Sequence, residues 1–160
     1  MSSCLRVLAV SRDVSEIIEK AIRDKFPDVV IESGYSGGIL MLRLEAGSLP
    51  DVCRFLKESP DLAFDYLACV SGVDWSDRLE IVYHLQSLSM GHRLVLKVNA
   101  DRDDARIPSV TSVWQGAGFQ EREAYDLFGI VFEGHPDLRR ILLPEDWDGY
   151  PLRKDYVSPD

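Results

Sequence analysis

The stretch LEIVYHLQSLSMGHRLVLKVN, residues 79–99, decides the fold. Leu79, Ile81, Tyr83 and Leu85 recur at every second position, and Leu94, Leu96 and Val98 do the same after a short polar break. A period of two puts each set on one face of a strand, so the two runs predict half-buried antiparallel strands over Leu79–Gln86 and Arg93–Asn99. Their shared apolar face requires a covering layer.

Upstream, Phe64 to Val70 predicts another strand, and residues 49–58 predict a short helix with Leu49, Val52, Cys53 and Leu56 on one side and Pro50 in its first turn. Before that, Val29–Ile31 and Ile39–Glu45, in which Leu40, Leu42 and Leu44 alternate, flank Gly34, Gly37 and Gly38 as a β-hairpin would. Neither GxxxxGK[ST] nor GxGxxG surrounds these glycines, so they serve a turn and not a phosphate loop. Val14, Ile17, Ile18, Ala21 and Ile22 predict a helix over 14–25, with Asp13 as N-cap, Glu16 three residues on, and an end before Pro27. The apolar run Leu5–Val10 fits a short strand or an extended lead-in. The order α-β-β-α-β-β-β predicts an α+β core over residues 1–108: a two-layer α/β domain with a mixed β-sheet and helices on one face.

From Ser109 the period lengthens. Val110, Val113, Trp114 and Ala117 predict a helix after Pro108 that ends at Gly116 and Gly118, and Ala124, Leu127, Phe128 and Val131 predict a second one. On the latter, Glu121, Arg122, Glu123 and Asp126 face away from the apolar stripe, with Arg122 and Asp126 at i, i+4 spacing. Residues 109–135 form this helical region. The tail, 136–160, holds four of the eight prolines, Pro136, Pro144, Pro151 and Pro159, and so forms neither a long helix nor a central strand. It also holds Leu138, Ile141, Leu142, Leu143, Trp147, Tyr150, Leu152 and Tyr156, which a disordered linker would lack. An extended arm this apolar, reaching at most roughly 80 Å, is expected to lie on a partner's surface.

Composition narrows the function. The 46% hydrophobic and 28% charged fractions of the 160 residues are those of a folded domain. The net charge of -9 argues against nucleic acid and anionic membranes as partners. No run approaches the roughly 20 apolar residues of a membrane span, and the apolar run in MSSCLRVLAVSRD is too short for a secretory signal. Cys4, Cys53 and Cys69 are odd in number, far apart and set among apolar residues, as small buried thiols in a reducing compartment would be. Without a CxxC, a cluster or structural zinc held by this chain is not expected.

Residues 121–156 read EREAYDLFGIVFEGHPDLRRILLPEDWDGYPLRKDY. This closely resembles the signature of the thirty-kilodalton subunit of complex I-type NADH:quinone oxidoreductases: an ERE-x-YD-hydrophobic-FGI helix, then GHP, a basic pair, and a PEDW…YPLRKDY tail. Weaker resemblance extends through Ser71-Gly72-Val73-Asp74, Tyr83-His84-Leu85 and Pro108 to Trp114, and the first 60 residues carry a compatible pattern. The resemblance implies a peripheral-arm subunit whose C-terminal segment wraps along the forty-nine-kilodalton, quinone-site subunit. It implies no flavin, cluster or metal in this chain, with NADH, FMN, iron–sulfur clusters and quinone handled by other subunits. The implied location is the cytoplasmic side of the inner membrane, or the stroma in a plastid. The compact length favours a bacterial or plastid form.

The motif's chemistry suits an interface. Glu121, Glu123 and Asp126 offer carboxylates, and Arg122, Arg139, Arg140, Arg153 and Lys154 offer cations that fix register. Phe128, Trp147, Tyr150 and Tyr156 are of the types that anchor interfaces. Tyr125, Gly129, His135, Pro136, Pro144 and Pro151 complete the signature. One rival is the equivalent subunit of a plastoquinone-, F420- or ferredoxin-linked dehydrogenase or a membrane-bound hydrogenase. The other is a free-standing metal enzyme using Glu121, Glu123, Asp126 and His135, which the two-residue spacing of Glu121 and Glu123 disfavours, since ligands on one helix face stand three or four apart. His84 and His92 read as surface or hydrogen-bonded structural residues, and His135 as a backbone cap. No GxSxG elbow supports a nucleophile at Ser36 or Ser71. Asp74 or Asp77 is expected to bond the local backbone beside Trp75, and Glu145 and Asp146 to be solvated or interfacial.

Overall fold

The computed structural model describes residues 2–158, with side chains from Asp13 onward; the Cys4 side chain and Pro159 lie outside these. Helix α1 (Ser2–Lys25) leads into a hairpin of β1 (Val30–Ser36) and β2 (Ile39–Leu44), helix α2 (Leu49–Glu58), and strands β3 (Tyr66–Asp74), β4 (Leu79–Gln86) and β5 (Arg93–Ala100). Short β6 (Arg106–Pro108), helix α3 (Ala117–Phe128) and short β7 (Val131–Glu133) follow. The main sheet has the order β1-β2-β5-β4-β3, with β2 and β5 parallel and the other pairs antiparallel, so it is mixed as expected.

The hairpin turns on Gly37 and Gly38, both at positive φ, where a two-residue connection needs glycine. Gly34 lies inside β1 and takes no part in the turn. One sheet face, with Leu40, Leu42, Leu44, Ile81, Tyr83, Leu94, Leu96 and Val98, shares a single core with Val52, Cys53 and Leu56 of α2 and with Ile18 and Ile22 of α1. Phe26 and Phe55 meet edge to face at 5.7 Å between centroids. On the other face Arg43 bridges Glu32 at 2.8 Å and the buried Glu80, which also lies 3.7 Å from Lys97. The buried carboxylate on that face is thus paired with cations from β2 and β5.

Three expectations change. Helix α1 runs through Leu5–Val10, so that segment is neither strand nor lead-in, and Asp13 sits inside the helix and does not cap it. Ile17 is 60% exposed and leaves the buried stripe. Residues 109–116 form turns, not a continuous helix: Val110, Val113, Trp114 and Ala117 are all buried, but the backbone closes only isolated bonds, 113→110 and 117→114 of three-residue span and a single 114→110 bond of four. Gly116 is the N-cap of α3, and Val131 belongs to β7, which pairs with β6 in a two-stranded parallel sheet that the sequence pattern does not announce.

Candidate interaction surface

The tail does not extend away from the domain. It lies on it as a strap, fastened by two buried carboxylates. Asp126 is fully buried, and its Oδ2 accepts the backbone N–H groups of Ile141, Leu142 and Leu143 at 3.0, 2.7 and 3.0 Å. Its Oδ1 pairs with Arg140 at 2.8 Å, and the same guanidinium donates to the carbonyls of Trp147 at 3.0 Å and Gly149 at 3.1 Å. Burial opposes the charged form of Asp126, but Arg140 and the three amides outweigh it and hold the pKa below the ordinary carboxylate range. Asp126 therefore does not pair with Arg122 as its spacing suggests. Arg122 instead donates to the carbonyls of Arg139 at 3.1 Å and Arg140 at 2.9 Å.

Asp74 is the second fastening. It pairs with Arg102, accepts the Ser76 N–H at 2.7 Å in the expected local turn, and accepts the Lys154 N–H at 2.8 Å. The Arg102 guanidinium, ahead of the two amides, holds the Asp74 carboxyl well below its usual range despite burial. Arg102 also reaches Asp155 at 2.9 Å.

Between these points aromatic rings rest on glycines. A Cβ on Gly72 would fall 2.6 Å from the Phe128 ring, and one on Gly149 would fall 2.9 Å from Tyr156. Gly129 ends α3 at φ 71, and the Tyr150 ring covers it. Arg140 and Arg153 lie 5.3 and 5.2 Å from the Tyr150 ring centre, and Arg153 donates to the Phe128 carbonyl at 2.6 Å. The Leu152 N–H bonds the Leu127 carbonyl at 3.1 Å.

The start of α3 is held by Glu121 and His135. Glu121 was expected on a polar face yet is fully buried, accepting from the Ser109 hydroxyl at 2.6 Å and the Val110 N–H at 2.8 Å. Burial pushes its pKa up, opposed by those two bonds and by His135. His135 Nε2 donates to the Gly118 carbonyl at 3.0 Å while Nδ1 accepts the Asp137 N–H at 3.0 Å. It bonds the backbone, but in the first turn of α3, where the unpaired groups are N–H and not carbonyls, so it does not cap the end of the helical region as expected. His92 bonds the Leu62 carbonyl at 2.5 Å, and His84 is exposed.

Each signature residue thus has a place. Glu121, Arg122, Asp126, Phe128, Gly129, His135, Arg140, Tyr150, Arg153, the Lys154 amide and Tyr156 bind the strap and α3 to this chain. Tyr125 packs half-buried against the core, Arg139 pairs with Asp137 at 2.9 Å, and the Pro144 carbonyl accepts the Trp147 N–H at 3.1 Å. Pro136 and Pro144 are exposed, and Pro151 is half-buried. Leu142 (62% exposed), Leu152 (51%), Ile141 and Trp147 (both 37%) face outward, as do Glu123, Glu145 and Asp146. Sequence reasoning missed Arg102, whose partner lies 28 positions away, and the joint role of Gly72 and Leu127 beneath the strap. The carboxylates Glu121, Glu123 and Asp126 do not converge, and among the described residues no group of three or more His, Cys, Asp or Glu side chains is placed to hold a metal ion.

Fold and site together define an α+β domain with a self-fastened, outwardly apolar C-terminal strap. Residues 42–160 match the family described as the respiratory-chain NADH dehydrogenase 30 Kd subunit, and the chain belongs to that family. It is 48% identical over 139 residues to the C subunit of the NADH-quinone oxidoreductase of Chlorobium phaeobacteroides, covering 84% of each chain. A solved trypsin-resistant fragment of Nqo5 is similar over 78% of this chain and 98% of the fragment, at 33% identity and a TM-score of 0.62. A chain of an archaeal respiratory membrane complex, the membrane-bound sulfane sulfur reductase, is similar over 89% of this chain and 85% of its own, at 32% identity and a TM-score of 0.74. Among the described residues no helix is long and apolar enough to cross a membrane.

Proposed function

We propose that this chain is a peripheral-arm subunit of a complex I-type NADH:quinone oxidoreductase, with no catalytic site of its own, that buttresses the quinone-site subunit. The observation that carries the reading is the strap: Arg140, Tyr150, Arg153 and Tyr156 are engaged by the chain's own domain, while Leu142 and Leu152 are 62% and 51% exposed and Ile141 and Trp147 are each 37% exposed. Apolar side chains held this rigidly form an interface core at little ordering cost. NADH, FMN, iron–sulfur clusters and quinone belong to other subunits, and the chain attaches to the cytoplasmic or stromal side of its membrane through them. Its contribution to turnover is to hold the neighbouring site in productive geometry.

The similarity to the sulfane sulfur reductase chain supports a second reading, the equivalent subunit of a related membrane complex with another electron donor. Purification of the tagged chain from its native membranes, with mass spectrometry and electron-donor assays, separates the two. Co-purifying quinone-site and NADH-oxidising subunits with inhibitor-sensitive NADH:quinone activity support the first. A complex active only with another donor supports the second, and a partner-free chain contradicts both.

A further inference from the structure

Helix α3 carries four charged side chains, and three are engaged within the chain: Glu121 on the 109–110 turn, Arg122 on the strap carbonyls, and Asp126 beneath the strap. Glu123 is exposed and has no hydrogen bond or ion pair among the described residues. It stands beside a groove of about 340 Å³ between α3 and the edge strand β3, lined by Gly72, Ala124, Leu127 and Phe128, with Leu152 contributed by the strap. Phe119, one residue before the groove-lining Gln120, is 69% exposed.

Two features specify what fits. The Val70 N–H on the edge of β3 is already bonded to the Gln120 side chain at 2.6 Å, so that group is not open to an added strand, and the groove offers an occupant mainly side chains. No cation lines the groove, and Glu123 repels phosphate-bearing ligands within a chain of net charge -9. A Lys or Arg satisfies the carboxylate while its stem lies along apolar surface.

We infer that this groove docks a segment of a neighbouring subunit in which an apolar side chain, seated on Leu127 and Leu152, is accompanied by a Lys or Arg that pairs with Glu123. The inference rests on the proposed membership of a multi-subunit complex and adds a contact on α3 beyond the strap's outward ridge.

The test places p-benzoylphenylalanine at position 119 of the tagged chain and purifies the assembled complex before irradiation. Recovery of the partner subunits checks the membership reading first, and a partner-free chain overturns both. The groove predicts a cross-link to one segment of another subunit that carries Lys or Arg within four residues of a large apolar side chain. Cross-links confined to this chain, cross-links to an acidic or uncharged segment, or none in an intact complex overturn it. In parallel, Glu123→Lys should reduce retention of the chain in the complex about tenfold under a moderate salt wash, with Glu123→Gln intermediate and the melting temperature of the isolated chain unchanged. Retention of Glu123→Lys equal to that of the unaltered chain overturns the pairing.

Discussion

The Tyr150 ring occupies the space that a side chain on Gly129 would need: a Cβ there would fall 2.5 Å from Cε2 of the ring. The same glycine has φ 71, so any other residue meets backbone strain as well as the clash. Gly129→Ala should therefore destabilise the chain by about 2–4 kcal/mol. Hydrogen exchange at residues 149–154 should rise with it, because the ring must leave its seat. Unchanged exchange there would detach the strap from the end of α3.

Asp126→Ala removes a buried carboxylate that serves three amides and a guanidinium, leaving Arg140 half-buried without its partner. A loss of about 3–5 kcal/mol is expected on thermal unfolding. A double-mutant cycle with Arg140→Ala should give a coupling above about 1 kcal/mol. Additive effects would mean that the ion pair does not organise the strap.

The carboxylates titrate in opposite directions. Asp74 and Asp126 have folded pKa values below the ordinary 3.8, so the stability they contribute is complete above pH about 4 and is lost as pH falls through those lowered values. Glu121 lies above its ordinary 4.5, so its contribution is complete below that value and is lost as pH rises through the folded one. Glu121→Gln retains an acceptor for the Val110 N–H and removes the buried charge. It should stabilise the chain by about 1 kcal/mol at pH 8 and not at pH 4, read as melting temperature against pH. An equal shift at both values would contradict a buried, strained carboxylate.

Much of the fold was legible because its elements bury one face at a regular period. β4 and α2 fall where the pattern places them, since Leu79, Ile81, Tyr83 and Leu85, and Leu49, Val52, Cys53 and Leu56, are all buried. The failure at 109–117 has a specific cause. Val110, Val113 and Trp114 are buried as a helix would bury them, but Glu121 binds Ser109 and Val110 and the chain turns tightly instead. Periodicity reports which side chains are buried, not which backbone bonds hold them. The site was legible as residues and not as contacts. Asp126 and Arg140 stand 14 positions apart, and no local rule says that Arg122, four positions from Asp126, will turn to the strap instead. Phe128 and Tyr150 were read as anchors for a partner, yet both have seats on glycines of their own chain.

The most direct measurement concerns the outward ridge. Leu142→Asp changes a side chain that is 62% exposed and fastens nothing in this chain, so the isolated variant should melt within about 1 kcal/mol of the unaltered protein. Expressed in place of the native chain, it should leave the membranes with little assembled NADH:quinone oxidoreductase and the variant chain free of the quinone-site subunit. Full assembly with normal turnover would contradict the strap as the docking element, and full assembly with turnover lost would contradict a purely structural role.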